Sequence, residues 1–325
     1  EAPIYLEIDR QTDPNVLKAL QASLIQVLDD ASVAVSDWHI MLEQLESALV
    51  DLEQAPPPLD PAEVTETKAF LRWLKDNFIL FGCRDYRLIQ RRGEKILQAV
   101  QGSGFGVLRD SSEKHLRYLS EMPPEAQKLA LSSTILIIAK TNTKSTIHRG
   151  GYTDFVAVKR FDKEGNLLGE RRFIGLYTSS AYNSNPKHIP FLRLKVAKVI
   201  QSSNLSTRSH AGKKLLNILE TLPRDDLFQA SAKELLNLSM GIFHLQDRQR
   251  IRLFMRKDSY GRFYSCLVYV PRESFNTELS RHMQDILKEM LNGEEVSFST
   301  LFTDSMLARI HYMVRVPRDL HFRID

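Results

Sequence analysis

Tyr152-Thr153-Asp154-Phe155-Val156-Ala157-Val158-Lys159-Arg160-Phe161 and Leu167-Leu168-Gly169-Glu170-Arg171-Arg172-Phe173-Ile174-Gly175-Leu176-Tyr177 flank the short segment Asp162-Lys163-Glu164-Gly165-Asn166. Two long runs rich in β-branched and aromatic residues, joined by Asp, Gly and Asn, specify a β-hairpin. Upstream, Thr134–Ala139 (TILIIA) predicts a buried strand and Phe78-Ile79-Leu80-Phe81 another. A helix is expected over 62–76, around Phe70, Leu71, Trp73 and Leu74. A helix, several strands and a closing hairpin together predict an α+β domain of the sensor type.

Downstream, apolar repeats predict helices over Ile189–Gln201, Ser209–Glu220 and Ser231–Leu245, with breaks at Asn204-Leu205-Ser206 and Leu222-Pro223. A strand over Ile251–Arg256 and a turn at Lys257–Gly261 follow. Then come a strand (Arg262–Val270), a helix (Asn276–Leu291) and two strands (Val296–Thr303, Ala308–Val316). From Arg262 the order is βαββ, three-quarters of a ferredoxin-like βαββαβ unit. Its sheet is expected to have an unfilled edge, relieved by a second copy or by the N-terminal segment.

That N-terminal segment begins with alternation over residues 3–10 (PIYLEIDR), which predicts a half-buried strand, so that the chain is expected to open mid-strand. Asp13-Pro14 supplies an N-cap and a first-turn proline. From Leu17 to Leu52 the apolar residues recur by threes and fours, Trp38 among them, which predicts one long helix or two nearly collinear ones with the stripe buried. Pro56-Pro57-Pro58 ends the helix and marks a boundary.

Charge is unevenly spread. Residues 1–66 hold fourteen acidic residues against Arg10 and Lys18, a net −12, whereas the rest carries a net +16. The acidic end is therefore expected to dock on a basic surface of its own or a neighbouring chain. The overall +4 does not suggest nucleic acid, and aromatics are not interleaved with the basic runs. No apolar run approaches the roughly 18 residues of a membrane span, and no signal peptide is visible, so a cytoplasmic protein is expected. Cys83 and Cys266 are far apart in apolar surroundings and are expected to be buried, reduced thiols.

No constellation for catalysis emerges. Gly102-Ser103-Gly104-Phe105-Gly106 lacks the spacing of a dinucleotide loop, because position 107 is Val, and it is expected to be a turn. The nine histidines give no metal-binding spacing, and His148-Arg149-Gly150-Gly151 is expected to be a structural turn. No nucleophile elbow is present. Arg250, Arg252 and Arg256 share a strand face, with Arg248, Lys257 and Arg262 extending the positive field, and a solvated face is expected.

Three runs carry a resemblance. The first is Thr143–Arg149, then Asp154–Asp162 and Gly169–Tyr182; the second is Leu219-Glu220-Thr221-Leu222-Pro223-Arg224-Asp225-Asp226-Leu227-Phe228; the third is Arg252–Asp258, Tyr260–Phe263 and Cys266–Arg272. Together they closely resemble the non-catalytic half of large-class bacterial NAD-specific glutamate dehydrogenases. The resemblance implies ACT-like and PAS-like domains joined by helical connectors. Residues 1–58 would be the end of an ACT-like domain with a long acidic helix, 59–183 a PAS-like domain, 184–249 a helical connector, and 250–325 an incomplete ACT-like domain. It further implies that NAD serves the parent enzyme and is not bound here, and that no catalytic or metal residue is present. Partners would be the C-terminal catalytic domain and other subunits in a homo-oligomer. The loop where ACT-like domains take amino-acid effectors falls on Pro271, Arg272, Glu273, Ser274, Phe275 and Asn276. A purely structural assembly module without effector is the alternative.

Overall fold

The computed structural model describes residues 3, 5–55, 57, 59–109, 116–245, 250–302 and 305–317. Its architecture is α+β, with two antiparallel sheets. Two helices lead in, α1 (Pro14–Ser36) and α2 (Trp38–Gln54), followed by α3 (Pro61–Asn77). Asp13 caps α1 as its sequence suggests, its carboxylate accepting from Asn15 N at 2.8 Å with proline in the first turn.

The first sheet contains β1 (Phe78–Arg91), β2 (Glu94–Ala99), β3 (Phe105–Gly106), β4 (Leu116–Tyr118), β5 (Leu136–Lys144), β6 (Tyr152–Phe161) and β7 (Leu167–Tyr177). Their order is β4-β2-β1-β7-β6-β5, with β3 also pairing β1. The β6–β7 hairpin closes as expected: Asp162 accepts from Asn166 N at 2.7 Å, and Gly165 takes a φ of 85°, open to a residue without a Cβ. Both strands are buried on both faces, and the burial takes in Asp154, Lys159, Glu170, Arg171 and Arg172 along with their apolar residues. One face packs on α2 and α3 through Met41, Leu45, Phe70, Leu74, Val156 and Phe173. The other carries Leu97, Ile137, Phe155 and Ala157 under α4 (Pro124–Leu131).

A short helix, α5 (Ser179–Asn183), then α6 (Leu192–Ser202), α7 (His210–Thr221), α8 (Arg224–Gln229) and α9 (Ala232–Leu245) form the connector. An aromatic cluster joins it to the first sheet. Tyr177 stacks on Phe228 at 4.6 Å, and Phe70 lies 5.9 Å from Phe228. The second sheet comprises β8 (Arg252–Lys257), β9 (Phe263–Pro271), β10 (Glu295–Leu301) and β11 (Leu307–Arg315), with α10 (Thr277–Met290) between β9 and β10. Its order is β10-β11-β9-β8. One face packs on α10 through Cys266, Val268, Ile310, Tyr312 and Leu287; the other, through Leu267, Tyr269 and Leu307, joins the core of the connector.

Three expectations need correction. Residues 5–12 form no strand and are exposed, so no N-terminal strand is available from them to complete a sheet. The edge beside β9, expected to stay open in a βαββ unit, is filled by β8, which pairs antiparallel along Arg252–Lys257. A strand that precedes the unit thus takes the place beside the first strand that the missing fourth would occupy. The stripe along the leading helices divides at Asp37. Met41, Leu45, Ala48, Leu49 and Leu52 are buried, whereas Leu17, Leu28, Val35 and Trp38 are exposed, Trp38 at 46%. Within α1 only Ala34, close to the α1–α2 junction, is buried. Ile4, Pro56, Pro58 and Arg248, together with Thr303 and residues 318–325, lie outside the described residues.

The acidic end does dock on this chain's own basic groups. Asp37 pairs with Arg109 at 2.6 Å, Asp51 with Arg160 at 3.0 Å, Glu63 with Lys198 at 2.5 Å and Glu66 with Arg193 at 2.8 Å. The Arg109 guanidinium holds the Asp37 carboxyl below the usual range, helped by the Gly106 amide at 2.7 Å. That junction fixes the loop Gly102–Gly106 against the start of α2, and the loop enters β3 as a turn with Gly106 at φ 61°.

Candidate regulatory site

Pro271–Asn276 links β9 to α10. Arg272–Ser274 form a single 3-10 turn, and Asn276 caps α10 by accepting from Leu279 N at 2.7 Å. Arg272 N donates to Met306 O at 2.9 Å, and its guanidinium lies 5.5 Å from the Phe302 ring, which meets Phe275 edge-on at 5.3 Å. Arg272, Glu273, Ser274 and Asn276 are exposed, Pro271 and Phe275 half-buried. The six residues stand together on one surface turn, and none of them lines any of the larger cavities described below.

The dense chemistry lies instead where the two sheets meet the connector. Asp226, at the start of α8 and fully buried, accepts two bonds from Arg256 on β8 at 2.9 and 2.7 Å and a third from Ser265 Oγ on β9 at 2.8 Å. Ser265 Oγ in turn lies 2.9 Å from His311 Nε2 on β11. Burial lowers the His311 pKa, against the pull of Asp226 and Asp225, so the imidazole is held neutral. Arg256 is therefore not part of a free basic stripe: it is committed to Asp226, while Arg250 and Arg252 remain exposed.

A second group ties the first sheet to the connector. Lys140 on β5 reaches Asp154 on β6 at 2.8 Å and Asp225 on α8 at 3.3 Å. Burial alone would lower the Lys140 pKa, but the two carboxylates carry it well above its ordinary value. Asp154 moves the other way from a normal carboxylate, to about 6, because burial outweighs Lys140. Lys195 on α6 is half-buried against α8, donating to the carbonyls of Leu227, Phe228 and Ala230 at 3.1, 2.7 and 2.8 Å; desolvation brings its pKa down to about 7. It caps the C-terminus of that short helix. None of these groups was legible as a site in the sequence, because their partners lie 14 or more residues away on other elements.

Cavities border both networks. One of about 580 Å³ lies beside Asp226 and Arg256, with Glu234, Phe254 and Met255 among its walls. Another of about 550 Å³ lies between the sheets, by Lys140, Tyr152, Asp225, Glu295 and His311. The walls of the first carry more carboxylates than cations, whereas those of the second are matched, Lys140 and Lys144 against Asp225 and Glu295. Cys83 and Cys266 are buried, and burial pushes both thiols up to about 12, far from the reactive thiolate range. His148 takes a left-handed φ of 68°, and Arg149 donates to Tyr177 O at 3.1 Å, as befits a structural turn. Among the described residues no three His, Cys, Asp or Glu side chains gather as a metal site, and no helix is long and apolar enough to cross a membrane.

Family models match two consecutive stretches. Residues 189–248 match the model for glutamate dehydrogenase, helical motif 1, and residues 252–325 that for glutamate dehydrogenase, ACT2 domain. The connector and the second sheet are thus each similar to a part of glutamate dehydrogenase, the second to its ACT2 domain. Whole-chain relatives are more particular. The NAD-specific glutamate dehydrogenase of Halomonas elongata is 39% identical over 318 residues, 97% of this chain and 20% of its own length. That of Pseudomonas aeruginosa is 36% identical over 100% of this chain and 20% of its own length, and that of Mycobacterium tuberculosis 28% over 98% and 18%. The chain is a relative, from end to end, of one part of NAD-specific glutamate dehydrogenase, and it spans about a fifth of the length of the curated relatives it matches.

Proposed function

We propose that this chain is a regulatory and assembly segment of an NAD-dependent glutamate dehydrogenase. The parent would convert L-glutamate, water and NAD to 2-oxoglutarate, ammonia and NADH in a catalytic domain outside these residues. The observation that carries the reading is the alignment of nearly the whole chain with a fifth of the NAD-specific enzymes. It is supported by the Gly102–Gly106 segment, which is a turn into β3 and no dinucleotide cradle. In this reading residues 59–183 are a PAS-like domain, 184–249 the connector, 250–325 an ACT-like domain, and 1–58 the end of another. Other subunits of a cytoplasmic homo-oligomer and the catalytic domain are its partners. An amino-acid effector would approach the turn Pro271–Asn276. The test is an assay of the purified chain for glutamate-dependent NAD reduction, with NAD binding read by calorimetry. Neither is expected, and turnover by the chain alone would refute the reading.

The second reading, an assembly module without effector, is favoured by one observation: the turn Pro271–Asn276 is largely exposed and lines none of the cavities described above. Calorimetric titration of the chain with free amino acids separates the two. Heat that disappears in Arg272→Ala supports the effector turn, and no heat supports assembly alone.

A further inference from the structure

The face of the first sheet turned away from α2 and α3 gathers guanidinium groups. Strand register fixes which side chains share it. Arg117 on β4 lies opposite Leu97 on β2, and Leu97 opposite Leu88 on β1. Leu88 shares its face with Tyr86, which lies opposite Glu170 on β7. Arg172 stands two residues beyond Glu170, so Arg117, Tyr86, Glu170 and Arg172 project to one side. Arg262 arrives from elsewhere, on the turn between β8 and β9. That turn is held by Asp258, which accepts from the amides of Tyr260, Arg262 and Phe263 at 3.0, 2.5 and 2.7 Å. Tyr260 is buried against Phe155 at 5.4 Å and so anchors the turn in the core of the first sheet.

Between these groups lies a cavity of about 420 Å³. Arg117, Arg172, Arg262, Thr153, Phe155 and Ile174 are among its walls. Its charges do not balance. Arg172 is paired with Glu170 and stacks on Tyr86 at 4.4 Å. Arg262 donates to Lys140 O at 3.2 Å and lies 5.1 Å from the Tyr260 ring. Arg117 is half-buried and forms no hydrogen bond or ion pair among the described residues. Burial and then the nearby Arg172 and Arg262 push it down to about 10, which leaves it charged at neutral pH. Placing a third guanidinium beside two others, with Lys144 also on the wall, Glu170 already paired with Arg172 and Asp30 the one acid lining the cavity, costs stability unless an anion comes to it.

We propose that this cavity binds a small organic carboxylate, its charge held by Arg117 together with Arg172 and Arg262 and its carbon skeleton laid against Phe155 and Ile174. A guanidinium presents a planar pair of donors that matches a carboxylate. The apolar walls favour an anion with a carbon body over inorganic phosphate, whose hydration they could not replace. Thr153 on β6 offers a hydroxyl for orientation, already 2.6 Å from Thr141 Oγ1. Because Arg262 belongs to the second sheet's turn, an occupant would touch both sheets at once and add to the bonds that hold them together. The proposal concerns binding by this chain and is independent of the parent reaction proposed above.

Succinate, its neutral analogue succinamide and inorganic phosphate serve as probes for the 325-residue chain, read by calorimetry and by the thermal midpoint. Succinate is expected to bind and raise the midpoint, and succinamide to do neither. Arg117→Gln should weaken succinate at least about tenfold, the loss of one charge-assisted bond. The midpoint of unliganded Arg117→Gln should be unchanged or higher, because a like-charge neighbour has gone, and this shows the variant folded. Arg117→Lys, which keeps the charge but not the fork, should bind with intermediate affinity. Absence of succinate binding, equal binding by Arg117→Gln, or tighter binding of phosphate than of succinate would overturn the proposal.

Discussion

Arg256 on β8 places two N–H groups on one oxygen of Asp226, at 2.9 and 2.7 Å, while Ser265 Oγ occupies the other at 2.8 Å. The carboxylate is fully buried and the guanidinium nearly so. Removing one partner strands the other charge in the interior. Arg256→Met is therefore expected to cost about 3–5 kcal/mol, and the double variant Arg256→Met/Asp226→Leu clearly less than the sum of the singles. Urea unfolding of the four proteins measures it; additive losses would mean that the two groups do not depend on one another.

His311 completes the same network, and its pKa is lowered by burial. A lowered histidine binds fewer protons folded than unfolded, so the unfolded chain gains protons first as pH drops below about 6.5. This contribution to stability is intact above that pH and is lost as pH falls toward the folded value. Thermal midpoints across this window should decline more steeply for the natural chain than for His311→Gln, which keeps a group able to bond Ser265. Parallel declines would place the pH sensitivity elsewhere.

Asp37 joins α1 to α2 and receives Arg109 and the Gly106 amide. Its pKa is lowered, Arg109 being the first cause. The stability it contributes is present above its ordinary value of 3.8 and is lost as pH falls through the lowered one. Asp37→Asn should lower the unfolding midpoint at neutral pH and reduce the difference from the natural chain in acid. Because Arg109 is half exposed, added salt should shrink the effect. An effect that persists unchanged in acid and in salt would contradict this account.

Trp38 and Phe70 are both aromatic residues on helical stripes, but Trp38 is 46% exposed and Phe70 fully buried. Phe70→Ala should cost about 3–5 kcal/mol by opening a cavity among Trp73, Phe191 and Phe228. Trp38→Ala should cost far less, under about 1 kcal/mol in the isolated chain. Denaturant midpoints of the two variants check the ranking, and equal losses would show that α1 and α2 pack on something further in solution.

What the sequence by itself determined is local. The β6–β7 hairpin follows from two β-rich runs around Asp162 and Gly165, the cap of α1 from Asp13-Pro14, and the order β9-α10-β10-β11 from the change of apolar period. Such features depend on neighbours a few residues apart, and a side chain's steric and hydrogen-bonding preferences act at that range. The family resemblance rested on long ordered runs and was equally legible. The tertiary structure decided which apolar faces find a cover. It left the stripe of α1 exposed although its period matches that of α2, withheld a strand from residues 5–12, and set β8 beside β9. It also chose the partners of the buried charges: Asp226 with Arg256, Lys140 with Asp154 and Asp225, and Arg117 with none among the described residues. Alternation marks a face as able to be buried, but burial needs a second surface, and these ion pairs need a charge brought from another element. Both depend on how the whole chain closes on itself.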